Sequence, residues 1–363
     1  MEREQILMDW IQQIRPLDSS AEQAAAAHLD QLTKPPGSLG KIEELVVRLA
    51  GISGETHVSY DRKAVIVMAA DHGVVEEGVS AFPAVVTQQM VHNFLAGGAA
   101  VNVLARQAAA DVICVNIGIN GDIEHPELVQ RSVRKGTSNM AHGPAMSREE
   151  AVTAILAGIE VVKDAYDRGI RLFVTGEMGI GNTTPSAAVT SVLTGIQVEA
   201  ATGRGTGIDD TRLKHKEQVI KKAIELNRPD SNDPLDVLAK VGGLDIAGLT
   251  GVILAASALK CPVVIDGYIS TTAALIAARL APLSIHYMIA SHKSEERGHA
   301  GLLEELNLSP MIHLDMRLGE GTGGVLCLHI IEAASRIMKE MATFTSAGIS
   351  GSHADLDPEE SKP

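Results

Sequence analysis

The chain is poor in aromatic side chains, in cysteine and in positive charge, and each shortage excludes something. Phe, Trp and Tyr make up 2% of the 363 residues, so the interior must be built from Ala, Val, Ile, Leu and Met, whose small side chains let helices approach sheets closely. The three cysteines, Cys114, Cys261 and Cys327, stand apart in near-apolar surroundings without metal-type spacing, which suits reduced core thiols in a cytoplasmic protein and argues against a disulfide framework. Lys and Arg number 31 against 45 Asp and Glu, a formal charge of −14 that disfavours nucleic acid or an anionic membrane as partner. Any phosphate ligand must then be held by local amides and a few cations. No apolar run reaches membrane-spanning length, and the start, MEREQILMDWIQQIRP, lacks a signal-peptide core. The dinucleotide fingerprint G-x-G-x-x-G is missing after the first apolar run, and no Lys-Ser/Thr pair closes a glycine turn as in a P-loop.

What is present is an alternation. Short apolar, β-branched runs occur at 64–70, Val112–Ile117, Leu172–Thr175, Val263–Asp266, Ile285–Ala290 and Ile312–Leu314, separated by helical stretches such as 98–110, 148–168, 209–228 and 244–258. This pattern predicts an α/β fold: a parallel, Rossmann-like sheet with helices on both faces. The polar and glycine-rich clusters then all fall at strand C-terminal ends, the edge where open α/β sheets bind ligands. An amphipathic helix over 3–15 and an apolar helix over 325–342 both need burial. They suggest a small helical domain from 1–55 with 326–350, beside a large α/β catalytic domain over 56–325. The tail, 351–363, is acidic and without apolar pattern, and reads as disordered.

The stretch Val174–Thr184, VTGEMGIGNTT, runs from an apolar segment through a glycine-rich turn into a helix start. Gly176, Gly179 and Gly181 let the backbone bend and bring N–H groups toward a ligand, Asn182, Thr183 and Thr184 are N-cap types, and Pro185 suits a first helical position. Such a start favours anions. The acid Glu177 inside it would hardly serve a phosphate alone; it suits hydroxyls or a developing cation, and a phosphorylated sugar offers both features. Lys34 and Lys41 flank the proline-glycine loop KPPGSLG, either as a linker between helices or facing an anion. Asp71-His72 resembles an acid–base dyad, but adjacent loop residues seldom face each other, which favours a structural or pocket-lining role. His292, His299 and the glutamates between them lack a convincing further ligand for a metal.

Taken together, KPPGSLG (34–40), AADHGV (69–74), TGEMGIGNTT (175–184), GRGTG (203–207), VGGLDIAGLTG (241–251), DGYIS (266–270), SHKSEERGH (291–299) and RLGEGTG (317–323) resemble the nicotinate-nucleotide–dimethylbenzimidazole phosphoribosyltransferases, which make the lower-ligand nucleotide of cobalamin. The match runs from about residue 30 to about 345 in the family's motif order. It implies transfer of 5-phosphoribosyl from nicotinate mononucleotide to 5,6-dimethylbenzimidazole, giving nicotinate and α-ribazole 5′-phosphate with inversion, by a homodimer needing neither cofactor nor metal. By the same resemblance Glu320 is the general base and Glu177 the acid near the ribose. Ser80, Gln88 and Met178 line the benzimidazole pocket; taken bare, Ser80 would be a surface hydroxyl and Gln88 a solvated helix residue. Phosphate and ribose fall to Gly179, Gly181, Asn182 and Thr183, with Arg204, Lys216, Ser291 and His292 contributing. Lys216 and Arg204 keep a second reading, as ordinary solvated cations. A dinucleotide-dependent oxidoreductase would show the missing fingerprint, and a PRPP-dependent transferase an acidic pair at the end of an apolar strand, of which there is no clear copy. A non-catalytic nucleotide-binding protein would lose nothing in turnover on removal of Glu320.

Overall fold

The computed structural model describes residues 2–350; the tail expected to be disordered lies outside them. Contacts divide the chain into two units, one of residues up to Pro16 with Tyr60–Leu328, the other of Leu17–Ser59 with residues from His329 onward. The boundary falls inside the helix Thr322–Glu340.

The first unit is built on six parallel strands: β1 (Lys63–Ala70), β2 (Asp111–Gly118), β3 (Val129–Gln130), β4 (Leu172–Met178), β5 (Val263–Ile265) and β6 (Met288–Ala290), in the order β3-β2-β1-β4-β5-β6. All of β1 is buried, as a strand covered on both faces must be, and its run KAVIVMAA has no polar alternation. Against the sheet packs Leu244–Ala258, whose residues from Leu244 to Ser257 are all buried. Its small side chains allow backbone-close crossing with Arg148–Asp167: a methyl at Gly158 would stand 2.0 Å from the Gly248 carbonyl oxygen. The strand order reverses between β1 and β4, the point where doubly wound sheets open a crevice beyond the strand C-termini.

Four elements differ from the sequence expectation. The first helix, Glu2–Ile11, sits in the sheet-bearing unit and not with the helical one; it packs on Arg148–Asp167 and Leu244–Ala258, with Arg3 Nη1 donating to Thr153 Oγ1 at 2.7 Å. Ile312–Leu314 is not a strand: Ile312 makes one parallel bridge, to His292. The first half of the run at Ile285–Ala290 completes a 3-10 turn, Pro282–Tyr287, before β6 starts. The two-residue β3 carries no pattern that periodicity could register.

The second unit contains Ser19–Gln31 and Lys41–Ser53. Asp18 caps the first of these helices by accepting from the Ser20 and Ala21 amides at 3.0 and 3.1 Å. Lys34 is buried and paired with Glu43 at 2.9 Å, and Glu43 also accepts from the Gly37 and Leu39 amides. The KPPGSLG turn therefore spends Lys34 on its own closure, not on an external anion.

Candidate active site

A cavity of about 470 Å³ opens beyond the C-terminal ends of β1, β4, β5 and β6. Its walls come from the end of β4 and the segments that follow those strands: Val79, Ser80 and Phe82; Glu177–Thr183; Asp266–Ser270; and His292, Ser294 and Glu296. The loop Arg317–Glu320 closes it, while Val86 and Met90 on the helix Val85–Leu95 and Gly205-Thr206 complete the lining.

Glu177 and Glu320 meet on this cavity. Glu177 is the penultimate residue of β4 and 6% exposed, and the Glu320 amide donates to its Oε1 at 3.4 Å. Burial, then the charges of Asp245 and Asp266, push the Glu177 carboxyl up to about 8 against the pull of the Asn182 hydrogen bond. Glu320 is also buried, with Oε2 unpartnered among the described residues; burial raises its carboxyl above the ordinary value, the Val101 amide pulls it down, and the charge of Asp266 adds to the rise. The Glu320 backbone is left-handed, at φ 63°, between Gly319 at 87° and Gly321 at 91°. Two backbone contacts fix this bend: the amides of Gly321 and Gly324 donate to the two oxygens of Asp266 at 3.2 and 2.9 Å. Asp266 follows β5 directly, so the sheet itself anchors the loop that carries Glu320.

Asn182 is the residue before the helix Thr183–Thr194, yet its side chain does not cap that helix. The amide nitrogen donates instead to Glu177 Oε2 and, at 3.2 Å, to Asp245 Oδ2. Pro185 accordingly falls at the third helical position rather than the first. Behind Asp245 lies His72, whose Nε2 stands 3.3 Å from Asp245 Oδ2. Asp71 turns the other way and accepts from the Asn120 amide at 2.7 Å, so the adjacent Asp71 and His72 serve different partners.

The other expected site residues divide into those on the cavity and those off it. Ser80, Met178, Gly179, Gly181, Asn182, Thr183 and His292 line it. Lys216 is 1% exposed and stands just outside the lining: its Nζ donates to Thr183 Oγ1 at 2.7 Å and to the Gly203 carbonyl at 3.3 Å, and burial lowers it to about 8, against the charge of Glu296. Ser291 is buried behind the wall, its Oγ 2.9 Å from His292 Nδ1. Gln88 is not on the lining; its side-chain amide lies against Gly121. Arg204 also lies off the cavity, because its guanidinium is taken by the Ile208 carbonyl and Asp210 at the start of the helix Asp210–Asn227.

Sequence reasoning singled out neither Asp245 nor Asp266, and weighed Glu296 only as a metal candidate between His292 and His299. A lone acid in the first turn of a mostly apolar helix was the available sign for Asp245, and an acid closing the VVI strand was the sign for Asp266. Both ring nitrogens of His299 are engaged, with the Ser294 amide at 2.8 Å and Thr271 Oγ1 at 2.9 Å, so it cannot ligate a metal without losing a bond. The one group of described His and acidic side chains spaced to hold a metal, Glu295, His313 and Asp315, is exposed and off the cavity lining.

Buried acids beside a helix start, at the switch point of a parallel sheet, belong to an α/β enzyme acting on a small polar substrate, and similarity to known proteins narrows the class. A phosphoribosyltransferase family model matches residues 14–349. The chain is 56% identical over 346 residues to the nicotinate-nucleotide–dimethylbenzimidazole phosphoribosyltransferase of Chloroflexus aggregans, spanning 95% of this chain and 98% of that one. To the enzyme of the same name from Halalkalibacterium halodurans it is 52% identical over 355 residues, spanning 98% and 99%. The crystal structure of CobT from Thermus thermophilus matches with a TM-score of 0.89 at 46% identity, covering 92% of this chain and all of that one. The chain belongs to the nicotinate-nucleotide–dimethylbenzimidazole phosphoribosyltransferase family, and is a pentosyl-transferring enzyme.

Proposed function

We propose that the chain moves the 5-phosphoribosyl group of nicotinate mononucleotide onto a nitrogen of 5,6-dimethylbenzimidazole, releasing nicotinate and forming α-ribazole 5′-phosphate, a step of cobalamin biosynthesis. The observation that carries this reading is the meeting of Glu177 and Glu320, two buried acids from distant segments, on one cavity of about 470 Å³. That volume is in the range that holds a small organic ligand.

In this reading the flat base lies against Val79, Phe82, Val86, Met90 and Met178, with Ser80 at its edge. One ring nitrogen attacks C1′ on the face opposite nicotinate, so the configuration inverts. The other ring nitrogen must lose its proton, and Glu320, an acid made more basic by burial, accepts it. Glu177 enters largely protonated at neutral pH. Binding of the cationic pyridinium of nicotinate mononucleotide beside it favours the carboxylate, whose proton passes to solvent on binding, so a negative charge faces the carbon where positive charge builds. The start of the helix Thr183–Thr194, with the Thr183 hydroxyl fixed by Lys216, takes the phosphate together with the Gly179 and Gly181 backbone and the Ser291-His292 turn. Transfer at C1′ asks for no Lewis acid or redox cofactor. The homodimer implied by the resemblance belongs to the same proposal: Phe82 and Leu318, 50% and 58% exposed at the cavity, are apolar surface that a second copy would cover.

The test is incubation with nicotinate mononucleotide and a panel of bases, following nicotinate release. Release that depends on a benzimidazole, with an α-configured product, is expected; no release with any base would overturn the reading.

A further inference from the structure

The cavity's acids are backed by a polar chain that the transfer scheme does not use. It runs from Glu177 through the Asn182 amide to Asp245, at 3.2 Å, and from Asp245 to the His72 ring, at 3.3 Å. None of these four side chains has appreciable solvent access, Asp245 and His72 being 0% and 3% exposed. A buried carboxylate needs a countercharge or a dense set of donors. The Asp245 oxygens have the Ile246 amide at 2.9 Å, the Asn182 amide and His72, and of these only His72 can carry charge.

The backbone is shaped to admit the ring. A methyl at Gly179 would stand 2.8 Å from His72 Nε2 and 2.5 Å from the Ala70 carbonyl oxygen, and one at Gly243 would stand 2.5 Å from His72 Cε1. Gly179, expected from sequence to approach a phosphate, is thus also the residue that lets His72 reach Asp245.

We propose that His72 is a positioning residue for the transfer: by pairing with Asp245 it fixes that carboxylate where the Asn182 amide donates to it and to Glu177 together, which holds Glu177 in place against the cavity. The proposal rests on the transferase reading above. Without His72, Asp245 Oδ2 keeps only the Asn182 amide, which is then drawn away from Glu177. The groups facing Glu177 are Asn182, Asp245, Asp266 and the Glu320 amide; those facing His72 are Asp245 and Asp71. Asp266 has its own partners, the Gly321 and Gly324 amides with His292 Nδ1 at 3.9 Å. Burial alone would lower the His72 imidazole, but Asp245, aided by Asp71, holds it above the ordinary histidine value.

The experiment uses the full chain and compares wild type, His72→Asn, Asp245→Asn and the double variant, measuring nicotinate release against pH and against nicotinate mononucleotide concentration. His72→Asn should lower kcat more than it raises KM and move the Glu177 limb of the pH profile upward by about one unit. Asp245→Asn should move the same limb downward, and the double variant should fall between the two, because neither charge is then left unpaired. Unmoved limbs in active single variants would overturn the pairing and leave His72 a packing residue. If His72→Asn fails to fold, His72→Gln is measured in its place, and an unmoved limb in that variant overturns the pairing. An inactive wild type would instead overturn the transferase reading itself, a distinct result.

Discussion

Glu177 and Glu320 differ in how the chain holds them. Glu177 lies in a strand, an unstrained place, and the cost falls on its charge. Its carboxyl at about 8 has consequences for stability. Between the ordinary value of 4.5 and about 8 the folded state holds a proton that the unfolded state has lost, so stability declines as pH rises through that window. Glu177→Gln removes the decline. The variant should match wild type near pH 4.5 and exceed it at pH 8 by up to a few kcal/mol, read from unfolding midpoints across pH. A gap that does not change with pH would contradict the assignment. Glu320 carries its cost in the backbone, since a left-handed conformation at a non-glycine residue costs roughly 1 kcal/mol. The motif RLGEGTG made this loop visible in the sequence, and resemblance singled out its acid; the φ of 63° has no sequence signature apart from the flanking glycines. The acids at 245 and 266 escaped notice because their importance lies in partners far along the chain.

At the scale of elements, the strands that could be read were those whose apolar, β-branched runs are continuous: 64–70, Val112–Ile117, Leu172–Thr175 and Val263–Asp266, with the second half of Ile285–Ala290. The others differ for physical reasons. β3 is too short to have a period, and Ile312–Leu314 is held by one bridge where a strand was expected. The helix Tyr268–Leu280 follows the VVI strand after Asp266-Gly267 alone, so strand and helix merge into one mostly apolar stretch. Two changes test how these elements place the site. Asp266→Asn removes one of the acceptors for the Gly321 and Gly324 amides. It should cost about 1–3 kcal/mol of stability and lower turnover further than that loss explains, because the Glu320 loop loses its anchor. Normal turnover in this variant would show that the loop does not depend on the strand end. Gly179→Ala forces a methyl to 2.5 Å from the Ala70 carbonyl oxygen, and should destabilise by about 1–3 kcal/mol in thermal unfolding. An unchanged midpoint would mean that the turn can shift at no cost.

At the scale of the molecule, the reversal of strand order between β1 and β4 brings together segments that the sequence separates widely. Glu177 and Glu320 are 143 residues apart, yet the amide of one reaches the carboxylate of the other. The alternation of apolar runs and helices made the parallel sheet and its ligand-binding edge legible. It could not show which side chains would meet across that edge, since those contacts depend on strand order and loop path. Resemblance supplied part of this, but the cavity excludes Gln88 and Arg204 from its lining and admits Asp266 and Glu296. Among the described residues no helix is long and apolar enough to cross a membrane.

The most direct test of the two-acid account is Glu320→Gln, which keeps the shape of the side chain and removes its ability to take a proton. Benzimidazole affinity and nicotinate release should be measured on the same preparation. The account predicts affinity within a few-fold of wild type and a fall in kcat of roughly 10²–10⁴-fold. Turnover at the wild-type rate in a variant that binds the base normally would contradict it.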